Sequence, residues 1–402
     1  MKTITLSANW NPQKDYKLGN KDIEKQLTYL GSKVWHNPKV EIIEKEKPDI
    51  DPKSSEVLIE VKACGICGSD VHMAQADENG YICYPGLTAF PVTLGHEFSG
   101  VIVKAGEYAI DRRQNKRFEI GEPVCAEEML WCGICKPCVD GYPNHCEALH
   151  ETGFTVDGGF AKYIKLHSKY CWSLAPLKRV YNEDKLFLAG SLVEPTSVAY
   201  NAVIEIGKGI RPGDNVVIMG GGPIGLAAVS ILRRTGAANI ILTETSNKRA
   251  ELGYRMGATR VINPNEVDSV AESILHITEG VGAKLFLEAT GSPNMVWGEI
   301  EKIIWEGRQL NSTVVIVARS DIKIPVTPEV FQVRRASIHG AQGHSGHGTF
   351  NLVINSMASG MDITPIITKT INLDEVPEYL KLLQTDRENA KVTVTNFPEF
   401  DS

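Results

Sequence analysis

The sequence predicts an α/β protein in which a doubly wound parallel sheet is joined to a part rich in shorter strands. Three observations carry this. NVVIMGGGPIGLAAVSILRRTGAANIILTE, from Asn215, reads as strand, glycine turn, helix, strand. LFLEATG (285–291) and TVVIVAR (313–319) are further continuous apolar runs, the pattern of parallel strands buried on both faces. Before residue 197, VLIEVKAC (57–64), FSGVIVKAG (98–106) and GGFAKYIKL (158–166) alternate apolar and polar residues between glycines, as half-buried strands do. A chain of 402 residues is too long for one ordinary core. The expected division is 1–196 for the strand-rich part, 197–342 for the doubly wound domain, and 343–402 for a return to the first part through a helix and the strand KVTVTN. The segment 9–36, with Trp10, Tyr16, Tyr29 and Trp35, reads as an insertion without an assignable role.

Composition narrows the function. A net charge of −7 argues against nucleic acid as partner, because that would want a clustered basic face. The one basic run, DRRQNKR (111–117), reads as a solvated loop. The N-terminus lacks the apolar stretch of a signal peptide. The longest apolar run, VVIMGGGPIGLAAVSIL, is about 17 residues and broken by glycines, short of the ~20 needed to span a bilayer. A cytoplasmic protein is expected, with its nine cysteines as thiols or metal ligands.

Four of those cysteines crowd into WCGICKPCVDGYPNHC: Cys132, Cys135, Cys138 and Cys146. Gly133, Pro137, Gly141 and Pro143 supply the turns of a short knuckle. Four soft thiolates suit tetrahedral Zn2+ and leave no coordination position open, so the predicted site is structural. An iron–sulfur cluster is the rival.

Gly220, Gly222 and Gly225 match G-x-G-x-x-G directly after a strand and at the opening of a helix, where Pro223 and Ile224 also stand. That context marks a Rossmann dinucleotide site, with the pyrophosphate at the helix N-terminus. Glu244, at the end of the next strand, is placed to accept hydrogen bonds from both adenosine ribose hydroxyls. A 2′-phosphate would meet like charge there, so NAD is expected rather than NADP. Arg249 reads equally as a second ribose contact or as a surface arginine.

The reacting centre is sought in CGICGSDVH (64–72) and GHEFSG (95–100). Cys67, His96 and a carboxylate, Glu97 or Glu194, form a three-ligand set with a position left open, as a catalytic zinc needs. Zinc is a Lewis acid that lowers the pKa of a bound hydroxyl. Cys64 and Cys67 also form C-x-x-C; a redox pair is disfavoured because no helix start is evident there to lower a thiol pKa.

In combination and in order, CGICGSDVH, GHEFSG, the four-cysteine lobe, the Glu194–Pro195 pair and GGGPIG resemble the zinc-dependent medium-chain dehydrogenases over essentially the whole chain. The resemblance implies a GroES-like β-barrel catalytic domain beside the Rossmann domain, and a small-molecule alcohol as substrate. Glu194 stands where the liver-type alcohol dehydrogenases have a cysteine, as in the sorbitol and threonine dehydrogenases. In that branch the glutamate beside the histidine also ligates, so Glu97 and Glu194 both remain candidates. The resemblance gives Ser69 and His72 to a proton relay, and Asp70 a hydrogen bond to His96 that fixes its tautomer. YKLGNKDIE, YLGSKVW, GEPVCAEEMLWCG, GSLVEPTSVAYNAV and AQGHSGHGTF resemble the keto-inositol dehydrogenases within the family. That implies NAD-linked oxidation of a ring hydroxyl in inositol catabolism by a homo-oligomer, a dimer or tetramer. Sorbitol-like polyol or L-threonine oxidation is the alternative; a non-catalytic zinc- and NAD-binding regulator is one of another class. Gln342, His344 and His347 read either as ring-hydroxyl contacts or as solvent-facing loop residues.

Overall fold

The computed structural model describes residues 1–346 and 348–398, so His347 lies outside the described residues. The chain forms two compact units. One comprises Met1–Glu194, Gly346–Asp386 and the stretch from Lys391; the other comprises Pro195–Ser345 and Arg387–Ala390.

The first unit is built on a seven-stranded sheet. Its order is Cys171–Ser173, Pro123–Ala126, Glu97–Ala105, Glu56–Gly65, Lys391–Asn396 and Ile367–Asn372, with Tyr163–His167 also paired to Glu56–Gly65. Val57, Ile59 and Val61 alternate into one core with Phe98, Ile102, Val124 and Val394. Burial of each such side chain contributes roughly 1.5–3 kcal/mol. Alternation predicts a strand over 158–166, but apart from a single bridge of Ala161 to Thr3 the strand begins only at Tyr163. The glycines explain the difference. A Cβ on Gly158 would stand 2.2 Å from the Gly95 carbonyl oxygen, and one on Gly159 2.9 Å from Phe98. The N–H groups of Gly158, Gly159 and Phe160 bond to Thr93, Gly95 and Leu94. This stretch therefore braces the turn that presents His96.

The apparent insertion leaves from a smaller sheet, Trp35–Glu44, Lys2–Trp10 and Val92–Thr93. Its entry and exit are pinned by edge-to-face contacts of Trp35 with Trp10 and with Phe90, each at 5.1 Å. The basic run is a short hairpin, Ile110–Asp111 with Lys116–Arg117, and it is not merely solvated. Arg112 bonds the buried Glu127 at 2.9 Å and lies over the rings of Trp172 and Trp131.

The second unit carries a six-stranded, all-parallel sheet in the order Arg260–Ile262, Asn239–Thr243, Asn215–Met219, Leu285–Glu288, Thr313–Ile316, Ser337–Gly340. The helices Pro223–Thr235, Asn247–Met256, Val270–Ile277 and Pro293–Glu306 connect its strands. Strand order reverses between Asn215–Met219 and Leu285–Glu288, the switch point at whose carboxyl ends doubly wound sheets bind ligands. Among the described residues no helix is long and apolar enough to cross a membrane.

Candidate active site

In the second unit the glycines of GGGPIG do separate jobs. Gly220 has φ +103°, which favours glycine. A Cβ on Gly225 would stand 1.9 Å from the Gly220 carbonyl oxygen, so only glycine lets this helix, Pro223–Thr235, start so close to its strand. At Gly222 the Cβ position is open, with nothing within 4 Å. The free N–H groups of the helix start, beside Pro223 and Ile224, border that cradle, which suits a pyrophosphate. Glu244 is buried and accepts the N–H of Gly221 and of Ser246, each at 2.8 Å. Its carboxylate thereby ties the glycine turn to the end of the next strand. The Arg249 guanidinium bonds the Asn389 carbonyl, at 3.1 Å from Nε and 2.5 Å from Nη2. Asn201 donates to the Gly343 carbonyl at 2.8 Å. His344 is fully buried, which removes the solvent-facing reading for it; Gln342 is half-buried.

The first unit holds two clusters of metal-ligating side chains. Cys132, Cys135, Cys138 and Cys146 offer sulfurs all within 4.8 Å of one another. The N–H groups of Ile134 and Cys135 point at the Cys132 sulfur, each at 3.4 Å, and hold that thiol down to about 6. Cys132 and Glu147 donate likewise to Cys146 and Cys135. N–H groups aimed at sulfur stabilise the thiolate, the form that binds metal. Four such sulfurs with no other donor suit Zn2+.

Cys67, His96 and Glu97 form the second cluster, again with ligand atoms within 4.8 Å. Contrary to expectation, a helix does start here. Cys67 caps the helix Gly68–Ala74 in a capping box: its sulfur accepts from the Asp70 N–H while the Asp70 carboxylate accepts from the Cys67 N–H. Cysteine as a cap and two leading helix-poor residues, Gly68 and Ser69, hid that start. His96 is buried, with Phe154 packed 4.8 Å from its ring and Ser69 Oγ 3.5 Å from its Nε2. The expected Asp70–His96 hydrogen bond is not formed. The two face each other at 3.7 Å, an ion-pair separation, because the Asp70 oxygens are engaged by the N–H groups of Cys67 and Gly95. Burial disfavours the imidazolium, but Asp70 and Cys67 outweigh it and hold His96 well above its ordinary value. His72, three residues after Ser69 on the helix, is exposed.

The two candidate carboxylates differ. Both oxygens of Glu97 lie 2.6 Å from Nζ of Lys391, which also donates to the Ile66 carbonyl; both side chains are fully buried. Lys391 was missed because nothing in KVTVTN marks a lysine whose partner lies 294 residues away. Glu194 is equally buried, and burial pushes its carboxyl well above the usual range, with the Glu128 charge adding to the effect and His96 opposing it. A thiol, an imidazole and a buried acid are the donors a divalent zinc with an open position takes, and a cation would relieve the charge on Glu194.

Comparison with known proteins adds the ancestry. Residues 53–176 match the alcohol dehydrogenase GroES-like domain, and residues 223–359 the zinc-binding dehydrogenase domain. Scyllo-inosose 3-dehydrogenase of Thermotoga maritima is 64% identical over 98% of this chain and 100% of its own. A solved Thermotoga maritima structure assigned to the alcohol dehydrogenases superposes with a TM-score of 0.94 at 64% identity, covering 98% and 100%. A Sinorhizobium meliloti zinc-binding dehydrogenase solved with NADP reaches 0.74 at 27% identity, covering 92% and 99%. A GroES-like domain, a parallel nucleotide-type sheet and the two clusters thus occur in one lineage, and the chain belongs to the zinc-dependent medium-chain alcohol dehydrogenase family.

Proposed function

We propose that this protein oxidises a secondary hydroxyl of scyllo-inosose to a diketo-inositol, with NAD as acceptor and two zinc ions per chain. The observation that carries the reading is 64% identity along the whole length of a scyllo-inosose 3-dehydrogenase. Cys67, His96 and Glu194 would hold the catalytic zinc at rest. Glu97 is the less suited resting ligand because Lys391 engages both of its oxygens. Zinc there supplies Lewis acidity that eases loss of the alcohol proton, and the four-cysteine site would hold the second, structural ion.

The chain's own residues do the remaining work. Ser69 Oγ, beside His96 Nε2, accepts the hydroxyl proton as it gives up its own, and the exposed His72 on the same helix takes up the released proton and passes one on to water. An imidazole, which can both accept and donate a proton, suits that last transfer. The Gly222 cradle seats the pyrophosphate. Glu244 receives the adenosine ribose and discriminates against a 2′-phosphate. Arg249, tied to Asn389, borders this site. Gln342 and His344 would supply hydrogen bonds to the hydroxylated ring. The exposed edge strand Ser337–Gly340 favours a homo-oligomer, and nine cysteines without a disulfide suit the cytoplasm.

One screen tests the reading: NAD reduction with inososes, inositols, sorbitol, L-threonine and simple secondary alcohols. The highest kcat/KM is expected for scyllo-inosose. Faster turnover of threonine or sorbitol would overturn the substrate and leave the zinc site standing.

A further inference from the structure

The segment 9–36 takes no part in the chemistry above, yet it is closed, cross-braced and docked. It leaves and returns at one point, where Trp10 and Trp35 pair across the ladder. The Asn11 and Gln13 N–H groups continue that pairing to the Val34 and Lys33 carbonyls, each at 2.9 Å. Asp22 braces it from inside: Oδ2 accepts the Tyr16 hydroxyl at 2.8 Å and the Gly19 N–H at 2.7 Å, and Oδ1 accepts the Tyr29 N–H at 2.9 Å. Its later half docks on residues 86–88. Thr28 and Thr88 exchange both backbone hydrogen bonds at 2.9 Å, and the Gly31 N–H donates to the Gly86 carbonyl at 3.0 Å. A Cβ on Gly31 would stand 2.7 Å from Thr88 Oγ1, so glycine permits that approach. Docking delivers Leu27 and Tyr29 to the four-cysteine lobe. Leu27 is buried in one apolar cluster with Leu87, Met129, Leu149 and Cys146, and Tyr29, Cys132, Cys135 and Cys138 pack against that cluster. The apolar residues of the knuckle itself, Ile134 and Val139, are largely exposed, so the apolar cover of the sulfurs is drawn from around the knuckle, and the segment supplies part of it.

We propose that the segment 9–36 is a clamp that keeps the four-cysteine lobe closed and thereby retains its metal ion, without ligating it. This rests on the reading of those cysteines as a metal site. An ion held by four thiolates leaves only when the knuckle opens far enough for a sulfur to take up a proton or for a competing ligand to enter. Local opening has its own free energy, set by the contacts that opening breaks. Leu27 is among those contacts, and truncating it leaves a cavity that weakens the closed form. Asp22 acts through Tyr29, whose N–H it holds, so losing its carboxylate loosens the clamp as a unit.

The test follows how fast EDTA opens the lobe in the full-length, zinc-loaded protein. Iodoacetamide labelling of Cys132, Cys135, Cys138 and Cys146 is read by peptide mass spectrometry, with Cys67 in the same digest as the internal reference and zinc release recorded in parallel. Leu27→Ala and Asp22→Ala are each expected to speed labelling of the four cysteines by about 10-fold or more, with the Cys67 rate as in wild type. Leu27→Val, with a smaller rise, serves if the alanine variant does not fold. Unchanged labelling of the lobe, or an equal acceleration at Cys67, would overturn the inference, since the segment would then be idle or a brace for the whole unit. Acceleration by Leu27→Ala without Asp22→Ala would overturn it too, leaving Leu27 as an ordinary core residue. Wild-type zinc content decides the metal reading separately. If the four cysteines carry no ion, that reading falls and labelling is read without EDTA: equal rates in wild type and variants then overturn the clamp as well.

Discussion

Lys391 illustrates how much can hang on one side chain. It is a fully buried cation whose partner, Glu97, is equally buried. Burial would lower its pKa, but the Glu97 charge more than compensates and raises it. Removing one member of such a pair strands the other charge, at a cost of about 3–5 kcal/mol. Lys391→Met should therefore lower stability by that order in chemical denaturation, and the Glu97→Gln, Lys391→Met double variant should recover most of it. At the cofactor site, Glu244→Ala should raise KM for NAD and narrow the preference over NADP, read from steady-state kinetics with both; a wild-type preference for NADP would remove the ribose role given to Glu244. Residues in short motifs were legible: Cys67, His96 and Glu97 announce themselves by their glycine-flanked segments and do stand together. Lys391 and Arg112 were not, because their meaning lies in partners that local pattern does not name. Asp70 shows a finer limit, since the motif points to His96 but only geometry reveals that two backbone N–H groups claim its oxygens.

At the scale of elements, the cysteine lobe is the clearest unit. Ile134 and Val139 are largely exposed, while Cys132, Cys135 and Cys138 pack on a small cluster with Leu27, Leu87, Met129 and Leu149, and metal binding adds folding energy to that packing. Cys138→Ser should lower thermal stability and zinc content from two per chain to one while NAD still binds, as metal analysis and calorimetry would show. The strap formed by Lys45, Asp157 and the Thr93 N–H ties the N-terminal sheet to the glycine-rich stretch at 158–160. Burial alone would raise the Asp157 carboxyl, but the Thr93 N–H and Lys45 hold it below its ordinary value. A carboxyl lowered in the folded state adds stability above its unfolded pKa and loses it as pH falls through the folded one. Asp157→Asn should thus melt earlier than wild type at pH 7, by ~1 kcal/mol or less because solvent screens this partly exposed pair, and the gap should close as pH drops below about 3.9. Strands in this protein follow β-branched runs wherever backbone pairing is free. Where glycines allow close crossing, as at Gly158 and Gly159, the alternation misleads.

For the whole molecule, the parallel sheet was legible because its strands are apolar on both faces. Its spatial order was not, since the central strands Asn239–Thr243, Asn215–Met219, Leu285–Glu288 and Thr313–Ile316 on either side of the switch point share the same apolar character. The return of Arg387–Ala390 to the second unit is similarly silent in sequence, being four polar or small residues. The Glu97–Lys391 pair has a consequence for how the protein is made. Synthesis runs from the N-terminus, and domains fold as they emerge. Cys67, His96, Glu97 and Glu194 are all out of the ribosome long before residue 391 is even translated. Until then Glu97 has no ammonium to hold it, and the central strand Glu56–Gly65 lacks its neighbour Lys391–Asn396. A nascent chain that has not reached residue 391 thus exposes a raw sheet edge and an unneutralised acid at the metal site, and one short late strand closes both.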